Sequence, residues 1–231
     1  MSTHNYHKKE YEQLEPRNIP KEYYDFSFYV SKERMITYWH QVVDVLSKKP
    51  KIILEVGIGN GIVSNILKIY GIKAITTDIN ESLRPNKVVS ITELDTVFEP
   101  GEFPLVLCAR VLHHLPFSEF DNVLSQLNHV TQEYLILTLP VETFRIYFTC
   151  RITGCKSVSV SIPFPLVLKR CLQWALKITE KSKTQNFWKI NSSKEVCMFN
   201  IRAKIKKYFY IEKYYQVPED MSHAFFVLKK K

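Results

Sequence analysis

With 231 residues, 45% apolar and 13% aromatic, the chain has material for one α/β domain with additions and hardly for two independent ones, and disorder is excluded as the default state. The formal charge of +9 is unevenly spread: residues 1–140 carry 14 basic and 17 acidic groups, net −3, whereas residues 141–231 carry 18 and 6, net +12. There is no charged-then-apolar leader, no apolar run near the length of a spanning helix, and no C-x-x-C pair among five cysteines, one of which is left over in any pairing; secretion, membrane insertion and a zinc site are therefore not expected, and reduced thiols in the cytoplasm are.

Residues 1–23 are polar and tyrosine-bearing with Pro16 and Pro20, a segment expected to be loosely ordered until it packs on the domain. The spacing of Met35, Tyr38, Trp39, Val42, Val43 and Leu46 predicts a helix over 31–46 with Ser31 as its cap. Residues 51–70, KIILEVGIGNGIVSNILKIY, hold the organising element. Ile52, Ile53, Leu54 and Val56 predict a buried parallel strand. Gly57, Gly59 and Gly61 predict a turn that lets backbone approach a ligand, and Ile62, Val63, Ile66, Leu67 and Ile69 predict a helix stopped at Gly71. The dinucleotide fingerprint would need glycine at position 62, where Ile62 stands. Glu55 is an acid at the end of a buried strand, where lack of a partner is costly, so it is expected to reach a polar ligand or the turn's own amides. A second strand over 74–77 ends in Asp78, whose carboxylate can accept both hydroxyls of a ribose bound at the neighbouring turn.

Beyond Pro85 a short strand is predicted at Val88 and Val89, then a fourth over 105–109 on the far side of the first. Residues 110–115 should face the reacting group, because ligands of open α/β sheets sit outside the carboxyl ends of the strands. Arg110 falls there, as do His113 and His114, adjacent imidazoles either of which could take a proton from an acceptor hydroxyl. A helix over 117–130 and a strand over 134–139 complete a βαβ repeat, hence a parallel, doubly wound sheet. Ser192 and Glu195 have capping-box spacing, predicting a helix to about Lys207 with Val196, Phe199 and Ile205 inward. Residues 208–217 alternate as a strand, with Phe209, Ile211, Tyr215 and Val217 against Glu212, Tyr214 and Gln216. Residues 218–222 turn the chain, and 223–228 return as a hairpin partner.

LEVGIGNG, TTDIN and LVLCARVLHHLP, in this order and spacing, resemble successive motifs of class I S-adenosylmethionine-dependent methyltransferases with small-molecule acceptors. The resemblance implies a Rossmann-like, seven-stranded, mostly parallel sheet with an antiparallel C-terminal hairpin, here with a helical insertion, in a single domain: cap segment 1–50, cofactor core 51–140, insertion 141–190, and closing helix and hairpin 191–231. It implies S-adenosyl-L-methionine as methyl donor and no metal. Glu55, Gly57 and Gly59 would line its methionine part, Asp78 its ribose and Ile79 its adenine, while Thr92, Glu93 or Asp95 would meet the adenine amino group. Arg110 stands where relatives often carry an acid or a small polar residue, and LHHLP resembles a helix-opening signature whose second histidine is often structural. Tyr24, Phe26 and Tyr29, before the leading helix, could shape an acceptor pocket or be ordinary core. NFWKI and YYQVPEDMSHAFFVLKK resemble a bacterial branch associated with glycan or cell-surface biosynthesis, although Asn186 and Lys189 replace its expected His and Glu; hence the acceptor is read as a small molecule or glycan-like.

Two features bear on partners. In residues 165–179 a stripe of Lys169, Arg170, Gln173 and Lys177 opposes Leu166, Leu168, Leu172, Trp174, Ala175, Leu176 and Ile178: a lid helix on the domain, or a helix lying in an anionic membrane interface at the inner face. The basic C-terminal part also suits nucleic acid, but CARV stands where an N-P-P-Y-type amide motif would be, and no RNA-binding module is appended. A non-catalytic protein that kept the cofactor fold is the remaining alternative.

Overall fold

The computed structural model describes residues 14–24, 31–150, 153, 158–176 and 187–231. Phe26, Tyr29, Cys155, Lys177, Ile178 and Asn186 lie outside the described residues. The strands are β1 (Ile52–Val56), β2 (Lys73–Asp78), β3 (Lys87–Val88), β4 (Phe103–Ala109), β5 (Thr131–Pro140), β6 (Arg145–Cys150), β7 (Val158–Pro163), β8 (Phe209–Val217) and β9 (Asp220–Lys230). The α-helices are α1 (Lys32–Ser47), α2 (Ile62–Ile69), α3 (Phe120–Val130), α4 (Leu166–Ala175) and α5 (Met198–Tyr208). The main sheet has seven strands in the order β3-β2-β1-β4-β5-β9-β8, parallel through β5 and antiparallel in the last two. The order reverses between β1 and β4, which opens a crevice at their carboxyl ends.

Each central strand buries both faces, as its β-branched and leucine-rich sequence requires. Leu54, Val106, Leu135 and Leu137 pack toward α3 and α5. Ile53, Leu105, Leu107 and Ile136 pack toward α1 and α2, joined by Tyr38, Val42, Val63 and Leu67. Ser31 caps α1 by accepting the Arg34 amide at 3.2 Å.

The inward face of α1 is more polar than its spacing predicts. Thr37, Gln41 and Asp44 are buried beside Tyr38, Val42 and Val45, while Met35, Val43 and Trp39, the last 53% accessible, are exposed. The cause is the C-terminal hairpin: Asp44 accepts the Tyr215 hydroxyl at 2.6 Å and the Lys213 ammonium at 3.0 Å, and the Thr37 hydroxyl donates to Asp220 at 2.9 Å. Ile69, at the end of α2, is likewise exposed.

The capping box does not form. Residues 191–197 make a compact turn in which the Ser192 hydroxyl donates to the Lys189 carbonyl, and the side chain of Asn191 accepts the Met198 amide. The helix therefore starts at Met198, and its phase leaves Phe199 80% exposed while Ile201 and Ile205 are buried. The alternation of β8 is broken by register shifts between Ile211 and Lys213 and between Tyr215 and Val217, which turn Tyr214 onto Phe226, ring centroids 5.0 Å apart. The insertion is not wholly helical: β6 and β7 form a separate antiparallel hairpin ahead of α4. Cys108, Cys150, Cys171 and Cys197 are free thiols. No helix among the described residues is long and apolar enough to cross a membrane.

Candidate functional site

The turn after β1 hangs on β2, with the Gly57 and Ile58 amides donating to the Thr77 carbonyl at 2.8 and 3.2 Å. Two glycines of this turn serve different ends. Gly57, φ +84°, would place a Cβ 2.4 Å from a methyl of Val111, so the protein's own packing demands it. Gly59, φ +52°, has only a ring carbon of Tyr24 at 4.0 Å, so its missing side chain leaves open space. That space belongs to a cavity of about 430 Å³ at the crevice, the size of a small-ligand site.

Both acids of the neighbouring strand tips line this cavity. Glu55 is 5% accessible, and its Oε2 has no hydrogen-bond partner among the described residues. Burial pushes its carboxyl up to about 8, opposed by the Ser64 hydroxyl and reinforced by the charge of Asp78. Burial raises Asp78 as well, while the amides of Asn80, Gly59, Ile79 and Ile58 pull it back. A cavity holding a buried carboxyl with one unpartnered oxygen, beside a second carboxylate and an open glycine, fits a ligand with an ammonium or sulfonium group and vicinal hydroxyls. Residues 14–24 cover this end: the side-chain amide of Asn80 donates to the Ile19 carbonyl at 2.7 Å, and Ile19, Tyr23 and Tyr24 join the lining.

Of the residues expected from the sequence, the cavity gathers Glu55, Gly57, Gly59, Asp78, Ile79, Arg110, His113 and His114. It does not gather Thr92 or Glu93. The loop after β3 enters a 3-10 turn, Ile91–Thr96, that presents Ser90 and Ile91 to the cavity; the Thr92 hydroxyl bonds Ser90 at 2.7 Å, Glu93 is exposed, and the Asp95 amide is held by Gln126.

The other end of the cavity is basic. Arg110, at the tip of β4, holds a left-handed backbone, φ +62°, a strained conformation for a residue with Cβ. His113 is 4% accessible, its Nδ1 has no hydrogen-bond partner among the described residues, and its ring lies against that of His114, centroids 4.1 Å apart and planes tilted by 38°. Burial, then the charges of His114, Arg110, His223 and Lys189, hold it well below the ordinary imidazole range, so it is neutral near pH 7.

Arg34 and Gln41 of α1 and Ser222 and His223 of β9 also line this end, and the sequence reading missed them. Their signal was topological: β9 returns antiparallel to β5, with His223 paired to Pro140, so the first residues of the returning strand lie at the carboxyl edge of the parallel ones. Among the described residues no group of three His, Cys, Asp or Glu side chains is placed to hold a metal ion.

No protein-family model matches the chain, and no curated protein matches it in sequence. Solved structures match across most of its length. Magnesium protoporphyrin IX methyltransferase from Synechocystis PCC 6803, with bound SAH, is 15% identical over 86% of this chain and 84% of that one, with a TM-score of 0.56. The N-methyltransferase NodS from Bradyrhizobium japonicum WM9, in complex with S-adenosyl-L-homocysteine, is 8% identical over 99% of both chains, with a TM-score of 0.57. SpnF, a cyclase, is 12% identical over 82% of this chain and 80% of that one, with a TM-score of 0.52. Strand order, crevice and comparisons agree: the chain has the fold of the class I S-adenosylmethionine-dependent methyltransferases.

Proposed function

We propose that the protein transfers the methyl group of S-adenosyl-L-methionine to an oxygen or nitrogen of a small-molecule or glycan-like acceptor. The observation that carries this reading is that Asp78 and Glu55, whose buried Oε2 has no partner among the described residues, flank an open glycine turn in one ligand-sized cavity. In it, Glu55, Gly57 and Gly59 hold the methionine part, Asp78 holds the ribose hydroxyls, and Ile79 packs on the adenine beside Ser90 and Ile91. The donor supplies a sulfonium-activated methyl; the chain positions it in line with the acceptor and excludes water. Neighbours of this fold solved with S-adenosylhomocysteine support the donor, and a cyclase among them shows why the site rather than the fold must carry the assignment. Incubation with methyl-labelled S-adenosylmethionine and a small-molecule extract of the source cells should move label into an extractable product. Absence of transfer by the wild-type protein contradicts the enzymatic reading.

One surface favours a second element of this reading, docking at an anionic membrane. On α4, Val167, Leu168, Leu172 and Trp174 are exposed, Trp174 at 85%. The β6–β7 hairpin beside it in sequence exposes Phe148, Val158 and Val160. Apolar patches of this kind on a basic part of a chain suit an interface of anionic lipid. Co-sedimentation with phosphatidylglycerol vesicles should fall several-fold in Trp174→Ser, and equal pelleting of both proteins would exclude the surface.

A further inference from the structure

The basic end of the cavity contains a hydrogen-bonded relay that the donor site leaves unused. His223 Nδ1 lies 2.7 Å from Asp220 Oδ2, which also accepts the Thr37 hydroxyl at 2.9 Å. Asp220 Oδ1 accepts the Ser222 amide at 3.1 Å and the Ser222 hydroxyl. Burial acts to raise the Asp220 pKa, but His223, Ser222 and Thr37 outweigh it and hold the carboxyl well below its ordinary range. An ionised carboxylate can only accept, so the hydrogen of the neutral ring sits on Nδ1, and Nε2 keeps its lone pair. The side chains of His223 and Asp220 are only 12% and 9% accessible, yet His223 lines the cavity. It stands opposite Pro140 at the carboxyl edge, about 10 Å, or two strand spacings, from the β4 tip.

We propose that His223, positioned by Asp220, is the general base of the acceptor site, and that the acceptor atom is a hydroxyl oxygen. The inference rests on the methyl-transfer reading above. His223 Nε2 takes the proton of the acceptor O–H. The oxygen lone pair forms the new O–CH₃ bond while the methyl–sulfur bond breaks, its electron pair returning to sulfur as a neutral thioether.

The surroundings select the class of acceptor. Facing His223 are Arg34 of α1, Arg110 and His113 at the β4 tip, and Lys189 beside His113; Glu33 of α1 lies near Asp220. Positive charge around the base stabilises an oxygen that gains negative charge and repels a protonated amine. A carboxylate acceptor has no proton to give and would leave the relay idle. Burial lowers the His223 pKa, as do Arg110 and Arg34, while Asp220 raises it, so the ring is an unprotonated acceptor near pH 7.

The test follows label from S-adenosylmethionine into extracted acceptors at saturating donor. In the wild type the rate should rise with pH along a limb of unit slope whose midpoint lies below about 6.5, the ordinary histidine value, and then level off. His223→Gln should lose about 10²–10⁴-fold in rate, with S-adenosylhomocysteine affinity within about twofold of wild type. Asp220→Asn removes a charge that favours imidazolium, so it should move the limb to lower pH as well as slow the reaction. The labelled product should be a methyl ether, identified as such by mass spectrometry. A wild-type limb with its midpoint above about 6.5, an undiminished rate in His223→Gln, or label on nitrogen would each overturn the inference while leaving methyl transfer standing. A wild type that binds S-adenosylhomocysteine but moves no label would overturn both.

Discussion

The two ends of one cavity are built in opposite ways. The acidic end comes from consecutive sequence: the tip of β1, its glycine turn and the tip of β2 place Glu55, Gly59 and Asp78 together through local chain geometry and one parallel register. The basic end comes from four distant places, α1, the β4 tip, the segment before α5 and the start of β9, which contribute Arg34, Arg110, Lys189 and His223. The acidic end suits a ligand's cation, as the proposed donor carries; the basic end suits an oxygen that gains negative charge, as the proposed acceptor would. A local motif fixes what is common to a fold, whereas long-range assembly sets what is particular to a protein.

The largest expected effect lies at the acidic end. Gly57→Ala combines a left-handed backbone with a clash against Val111 and should cost about 3 kcal/mol of stability, from the two effects together. A thermal scan would show this as a fall of roughly 9 °C for a chain of this size. Gly59→Ala, with open space around it, should lose ligand affinity more than stability, and the reverse ranking of the two variants would mean that the turn is shaped for packing alone.

A smaller effect separates the ends by pH. Glu55 is held up to about 8 by burial, so in the ligand-free protein it is mainly protonated at pH 7. A raised acid favours folding below its ordinary pKa, and that contribution is lost as pH climbs through about 8. A ligand cation beside Glu55 favours the ionised form. Binding of S-adenosylhomocysteine at pH 7 should then release close to one proton, and affinity should rise up to tenfold per pH unit until it flattens above about 8. Calorimetry in buffers of different ionisation heat reads the proton directly. Proton uptake, or none, would show that Glu55 does not meet the ligand's positive charge.

The same contrast decides how much was legible in the sequence. β1, α2, β2, β4, α3 and β5 follow from apolar runs and periodicity, because each buries both faces of a strand or one stripe of a helix. Asp78 and Glu55 were legible because a strand end fixes where the next residue points. Thr37, Asp44 and His223 were not. Thr37 and Asp44 look like solvent-facing positions until β8 and β9 supply their partners, and His223 looks like a hairpin residue until the antiparallel return places it at the carboxyl edge. Thr92 and Glu93 were misplaced because a 3-10 turn, which no periodicity announces, swings the loop after Ile91 off the cavity.

If the acidic end holds the nucleoside donor and the basic end does not, S-adenosylhomocysteine titrated into the wild type, Asp78→Ala and His223→Gln will separate the two ends. Asp78→Ala should weaken binding about 100-fold or more, since two hydrogen bonds from the ribose to a charged group are lost, while His223→Gln should bind within about twofold of wild type. Equal affinity in wild type and Asp78→Ala would place the nucleoside elsewhere.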